Sequence, residues 1–120
     1  MPAHSDALKD SLSRSREIDI TVTGRKSGRA ISIPVWFVLE EDRLYLLPVE
    51  GSDTQWYQNV LKNSKMRVKA RGSQAEFEAL PITDAGEVLS VVEKFREKYG
   101  ARDVKKYYSK LDVAVVIEMG

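Results

Sequence analysis

Residues 17–35 read Glu17-Ile18-Asp19-Ile20-Thr21-Val22-Thr23-Gly24-Arg25-Lys26-Ser27-Gly28-Arg29-Ala30-Ile31-Ser32-Ile33-Pro34-Val35. Ile18, Ile20 and Val22 alternate with Asp19, Thr21 and Thr23, the period of a half-buried strand made of β-branched residues. Two glycines then frame a five-residue turn. Alternation resumes through Ile31, Ile33, Val35, Phe37 and Leu39, which predicts a second strand over Ala30 to Leu39. Trp36 and Val38 are also apolar, so the later half of that strand is predicted to be buried on both sides. Strand, short turn and strand make a hairpin. A parallel βαβ unit would need a long crossover here.

The same pattern continues outward. Glu40 to Arg43 is a charged turn, and Leu44 to Val49 predicts a third strand, with Pro48 marking its exit from a sheet. Gly51-Ser52-Asp53 breaks the chain. A helix is predicted from about Thr54 to Lys62, with Trp56, Tyr57, Val60 and Leu61 on one face. Lys65 to Arg71 and Gln74 to Ile82 read as a hairpin around Gly72-Ser73. A long helix follows, capped by Thr83 or Asp84 and closed by Gly100. Arg102 to Lys110 predicts a short helix or turn, and Val113 to Ile117 a buried closing strand. The order β-β-β-α-β-β-α-β, dominated by hairpins, predicts a mainly antiparallel α+β protein. On the N-terminal side, residues 1–16 read as a polar tail or short helix in which only Leu8 and Leu12 share an apolar face. Residues 17–120 form one domain, in keeping with a chain of 120 residues.

Composition narrows the chemistry. The chain has no Cys and one His, and 19 Lys+Arg against 18 Asp+Glu leave a net charge of +1. Disulfides, thiolate nucleophiles and Cys-based metal sites are excluded. His4 lies in the polar N-terminal stretch, so neither a His-based triad nor a metal centre is expected. A borrowed cofactor is then the natural source of reactivity. Near-neutral charge argues against a nucleic-acid partner. No apolar run reaches the roughly 20 residues of an integral membrane segment, and a cytoplasmic location is expected.

Candidate chemistry sits in four segments. Gly24 to Gly28 offers tight-turn backbone amides, the hydroxyl of Ser27 and the charges of Arg25, Lys26 and Arg29. Those groups suit a phosphate, and they equally suit a solvated basic hairpin. Pro34-Val35-Trp36-Phe37 and Leu47-Pro48-Val49 bring flat apolar surface beside that turn. There Trp36 is a wall candidate and Phe37 a core residue. Gly51 to Asn59 is dense in polar residues at a helix start, serving either an anion or simple capping. Tyr99, Tyr107 and Tyr108 are phenols that either pack or orient a ligand.

In this order the segments resemble the deazaflavin-dependent nitroreductase family, within the split β-barrel flavin/deazaflavin oxidoreductase superfamily. The sharpest parts are Thr23-Gly24-Arg25-Lys26-Ser27-Gly28, Pro34-Val35-Trp36-Phe37-Val38 and Trp56-Tyr57-Gln58-Asn59. The resemblance implies an FMN-binding-like split β-barrel. It also implies a site for coenzyme F-420, with FMN as the alternative, and hydride transfer to a small-molecule electron acceptor such as a quinone, enone or nitro compound. Arg25, Lys26 and Ser27 would hold the phosphate and acidic tail. Pro34, Val35 and Trp36 would line the ring, Pro48, Val49, Gly51 and Ser52 would border it, and Trp56 would close the pocket. Tyr99, Tyr107 and Tyr108 would face the substrate. Members of such families are monomers or homodimers.

Overall fold

A computed structural model of the protein describes residues 3–119. Helix α1 (Ala3–Ser13) leads into β1 (Ile18–Thr23) and β2 (Ala30–Val35), then β3 (Val38–Glu40) and β4 (Arg43–Leu46). A 3-10 turn (Gly51–Asp53) precedes α2 (Gln55–Lys62). Strands β5 (Lys65–Ala70), β6 (Ser73–Glu78) and β7 (Leu80–Ile82) follow, then α3 (Ala85–Tyr99), α4 (Ala101–Tyr107) and β8 (Ala114–Glu118).

The strands form two four-stranded sheets, ordered β2-β1-β5-β6 and β3-β4-β8-β7. Every strand pair in them is antiparallel. This is the α+β split β-barrel, as the hairpin-rich order implies. Side chains alternate as the sequence alternates: Ile18, Ile20 and Val22 point inward from β1, and Met66, Val68 and Ala70 from β5.

Two predicted strands are each broken in two, and this places the site. The continuous strand expected over Ala30 to Leu39 is β2 in one sheet and β3 in the other, with Trp36 and Phe37 at the corner. Gln74 to Ile82 likewise divides into β6 and β7 around the fully buried Ala79. Period-two alternation runs through such a corner unchanged, because the chain stays extended while it changes partners. The backbone at each corner finds other partners. Phe37 N–H donates to Tyr99 Oη at 3.2 Å, Phe37 C=O accepts from Lys98 Nζ at 2.7 Å, and Ala79 N–H donates to the Ser64 carbonyl at 2.8 Å.

The N-terminal stretch is a docked helix. Leu8 and Leu12, one turn apart, are 0% and 1% exposed and join the barrel core. His4 falls within α1, but its side chain lies outside the described residues. A second core packs α3 and α4 on the outer face of the β3-β4-β8-β7 sheet through Tyr45, Val88, Val92, Phe95 and Val104. Asp84 caps α3 by accepting from Glu87 N–H at 3.0 Å. Gly100, at φ 95°, lets the chain turn directly from α3 into α4. That sharp turn brings Tyr107 and Tyr108 back over the Trp36 corner.

Candidate functional site

The corner opens a cavity of about 440 Å³ lined by Ile33, Pro34, Val35, Trp36, Leu47, Val49, Glu50, Thr54, Gln55, Trp56, Tyr107 and Tyr108. A second hollow of about 320 Å³ lies along the basic turn, lined by Gly24 to Ser27 with Ile31, Ile33, Gln55, Trp56 and Asn59. Ile33, Gln55 and Trp56 belong to both. The two hollows are therefore neighbours that share these walls, a mostly apolar chamber beside a cation-lined one, each within the size range of small-molecule sites.

The basic turn is held by its own bonds. Gly24 N–H donates to Arg29 C=O and Gly28 N–H to Gly24 C=O, both at 2.8 Å. Ser27 Oγ accepts from Arg29 N–H at 3.1 Å. Gly24 is needed for this close approach, since a Cβ there would lie 2.7 Å from Ser27 Oγ. Arg25 reaches across to α2. Its N–H and Nη1 donate to Asn59 Oδ1 at 3.0 and 2.8 Å, and its Nη2 donates to Gln55 Oε1 at 2.9 Å. Lys26 has no side-chain hydrogen bond or ion pair among the described residues and is exposed beside the hollow.

Asn59, only 4% exposed, is the residue that docks this turn. Residue types alone did not assign it a role. The available signal was its spacing of four from Gln55, which puts both amides on one helix face.

The aromatic residues take different positions. Trp36 stacks on Tyr99 (centroids 4.2 Å apart, planes 6° apart) and on Tyr107 (4.5 Å, 23°). Tyr99 and Tyr107 make no ring contact with each other, so they cover opposite faces of the indole. Trp36 therefore turns its edge to the cavity. Tyr99 lies outside the lining. Its hydroxyl accepts from Phe37 N–H and lies 2.6 Å from Arg16 C=O, so it is committed to backbone. Burial pushes the Tyr99 phenol upward from its ordinary pKa.

Tyr107 is 42% exposed at the cavity mouth. Tyr108 is 4% exposed, with Phe95 and Tyr107 perpendicular to its ring. Burial, aided by the neighbouring phenols of Tyr99 and Tyr107, pushes its pKa far up, so it stays protonated at neutral pH. The Tyr108 hydroxyl has no hydrogen-bond partner among the described residues. No fully buried side-chain polar atom among them lacks a partner, so this hydroxyl keeps some accessible surface.

Of the bordering segment, Val49 lines the cavity, whereas Pro48, Gly51 and Ser52 do not. Ser52 N–H and Oγ donate to Asp112 at 2.9 and 2.6 Å, and these bonds hold the Asp112 carboxyl below its usual pKa. Gly51, at φ 56°, has no room for a side chain: a Cβ would lie 2.1 Å from Asp112 Oδ1. Ser109 N–H donates to Val49 C=O at 2.9 Å. These contacts clasp the cavity's β4–α2 loop to the chain that follows Tyr108.

The basic row on β5 has acidic residues across the sheet. Lys65 stands opposite Glu78, Arg67 opposite Glu76, and Lys69 opposite Asp19. Such cross-strand pairs belong to a solvated sheet face.

The two sheets and their helices make an FMN-binding-like split β-barrel. The chain belongs to the family described as "Uncharacterized protein conserved in bacteria (DUF2255)", whose model matches residues 9–118. The resemblance to deazaflavin-dependent nitroreductases holds at the level of the fold. Among solved structures, the chain is similar to an F420-H2 dependent reductase (FDR-A), with TM-score 0.68 and 21% identity over 86% of this chain and 94% of that one. It is similar to a protein solved as a domain-swapped dimer, with TM-score 0.68 and 19% identity over 95% and 98%. It is also similar to the heme storage protein HutZ of Vibrio cholerae, with TM-score 0.68 and 12% identity over 94% and 87%. No curated protein matches the sequence. No helix among the described residues is long and apolar enough to cross a membrane.

Proposed function

We propose that the protein is a deazaflavin-dependent oxidoreductase that passes a hydride from reduced coenzyme F-420 to an electron-poor quinone, enone or nitro compound. The observation that carries this reading is the adjacency of the two hollows. A mostly apolar chamber shares Ile33, Gln55 and Trp56 with a hollow lined by Arg25 and Lys26. A flat ring joined to an anionic tail matches that succession, and the chamber and cations fit such a cofactor.

When bound, the reduced deazaflavin supplies the hydride chemistry. The chain's own residues do the rest. Lys26 offers a free ammonium to the phosphate and acidic tail, and Arg25 shapes the turn while its guanidinium is held on α2. Pro34, Val35 and Trp56 wall the ring, and Trp36 limits the chamber with its edge. The walls exclude water and hold ring and acceptor at reacting distance. Tyr108 keeps its proton and can offer its hydroxyl as a hydrogen-bond donor to an acceptor atom, with Tyr107 covering the mouth. Tyr99 acts through Trp36 and is a positioning residue.

Titration of the purified protein with oxidised coenzyme F-420, followed by ring fluorescence, tests the reading. Micromolar or tighter binding, weakened in Lys26→Ala with the fold retained, is expected. FMN carries a comparable ring and phosphate. Tight FMN binding with none of the deazaflavin would overturn the cofactor assignment. Cofactor binding without transfer to any quinone, enone or nitro compound would make the protein a carrier. Action in the cytoplasm, as a monomer or homodimer, completes the proposal.

A further inference from the structure

Glu50 is the one charged side chain among the residues lining the larger cavity. Its backbone is fixed: Glu50 N–H donates to Thr54 Oγ1 at 2.8 Å, and Glu50 bridges Lys110 in parallel. Lys110 is the cation nearest to hand, yet its ammonium is turned elsewhere, 3.2 Å from Asp53 and 3.7 Å from Asp112. The Glu50 carboxylate has no ion pair or side-chain hydrogen bond among the described residues. Lys105 and Lys106 precede Tyr107 in α4, but neither lines the cavity. The neighbouring hollow is lined instead by Arg25 and Lys26. The two hollows therefore carry opposite signs, negative in the larger cavity and positive at the turn.

We infer that Glu50 makes the mouth of this cavity a charge-selective binding site, which takes flat neutral or cationic organic molecules and turns away anionic ones. An uncompensated carboxylate beside low-dielectric aromatic walls acts more strongly on a ligand charge than the same group in open water. The basic turn draws anions to the neighbouring hollow, so the two hollows sort ligands by sign. The inference rests on the proposed function only in naming the ligand as the electron acceptor. The binding preference itself needs no cofactor.

Trp36 lines this cavity and not the hollow at the basic turn, whereas Trp56 lines both, so Trp36 fluorescence read in a Trp56→Phe background reports the cavity's occupation. Three probes of similar shape are titrated into the cofactor-free protein: a neutral naphthoquinone, its sulfonate, and the N-methylphenazinium cation. The cation and the neutral quinone are expected to bind at least roughly tenfold more tightly than the sulfonate at low salt. Glu50→Gln is expected to shrink that ratio to about two and to leave neutral-quinone affinity within about twofold. Glu50 is exposed at the rim, so the variant folds; its thermal melt checks this. Equal affinity of wild-type protein for the sulfonate and the neutral quinone would overturn the inference, as would an unchanged ratio in Glu50→Gln. Charge-selective probe binding together with failure to bind the deazaflavin would leave the inference standing and defeat the proposed cofactor instead.

Discussion

Replacing Asn59 by Ala isolates the contact that docks the basic turn on α2. Asn59 Oδ1 accepts two hydrogen bonds, from Arg25 N–H at 3.0 Å and Arg25 Nη1 at 2.8 Å, and the residue is 4% exposed. Removing the acceptor strands a part-buried backbone N–H, which costs about 1–3 kcal/mol. The guanidinium bond adds about 1 kcal/mol, a value kept low because Arg25 is half exposed and retains Gln55. Alanine regains about 0.6 kcal/mol of helix propensity. The net expected loss is about 1.5–3 kcal/mol, or roughly 5–15 °C in Tm for a domain of this size. Urea unfolding measures it, with an unchanged m-value showing that the loss lies in the folded state. Arg25→Ala separates the two bonds, since it deletes the guanidinium and keeps the N–H. In that background Asn59→Ala is expected to cost about 1 kcal/mol less than in wild type. A loss under about 0.5 kcal/mol for Asn59→Ala, or no coupling in the double-mutant cycle, would refute the docking role.

Tyr108→Phe should leave the melting temperature nearly unchanged, because its hydroxyl has no partner among the described residues. Turnover should fall by about tenfold as the acceptor loses a hydrogen bond; a thermal melt and steady-state kinetics check the two halves, and unchanged turnover would remove Tyr108 as a hydrogen-bond donor. Arg71 occupies φ 50° in the β5–β6 turn, a conformation that suits glycine. Arg71→Gly should therefore raise stability by about 0.5–1 kcal/mol in urea titration without affecting the groove.

Lys98 is lowered to about 8 from 10.5, first by burial and then by Arg16. Between those values the unfolded chain binds more protons than the folded one, so stability should rise with pH above about 8. Partial exposure limits the gain to the order of 1 kcal/mol. Tyr99 and Tyr108, both raised, oppose it once the unfolded phenols ionise near 10. Lys98→Met should flatten the profile between pH 8 and 9.5, and a profile equally steep in that variant would contradict the assignment.

Much of the site was legible before the fold was known, though not its division of labour. Glycine spacing and clustered cations marked the turn at Gly24 to Gly28. Trp36, Trp56, Tyr107 and Tyr108, drawn from three separate segments, meet in one cavity. Residue type alone cannot say which phenol keeps a free hydroxyl. Tyr99 spends its own on the Phe37 corner and Arg16, while Tyr108 does not. Nor does it show that Trp36 has both faces covered, since Tyr99 and Tyr107 lie far along the chain. Gly51 and Ser52 look like ligand contacts in the sequence, but Ser52 bonds Asp112, 60 residues on, and Gly51 packs closely against the same carboxylate.

The two halves of the hairpin and its continuation, residues 17–40, differ in what sets them. Residues 18–23 and the glycine turn were determined locally, because alternation, β-branching and glycine conformational freedom are properties of neighbouring residues. Local pattern likewise determined the caps of α3 and the antiparallel class. The break at Trp36 and Phe37 came from the tertiary structure alone. Period-two alternation records which side chains are buried and is blind to the partner strand that buries them. Only the packing of two sheets decides that Ala30 to Val35 pairs with β1 while Val38 to Glu40 pairs with β4, and the groove opens where those allegiances part.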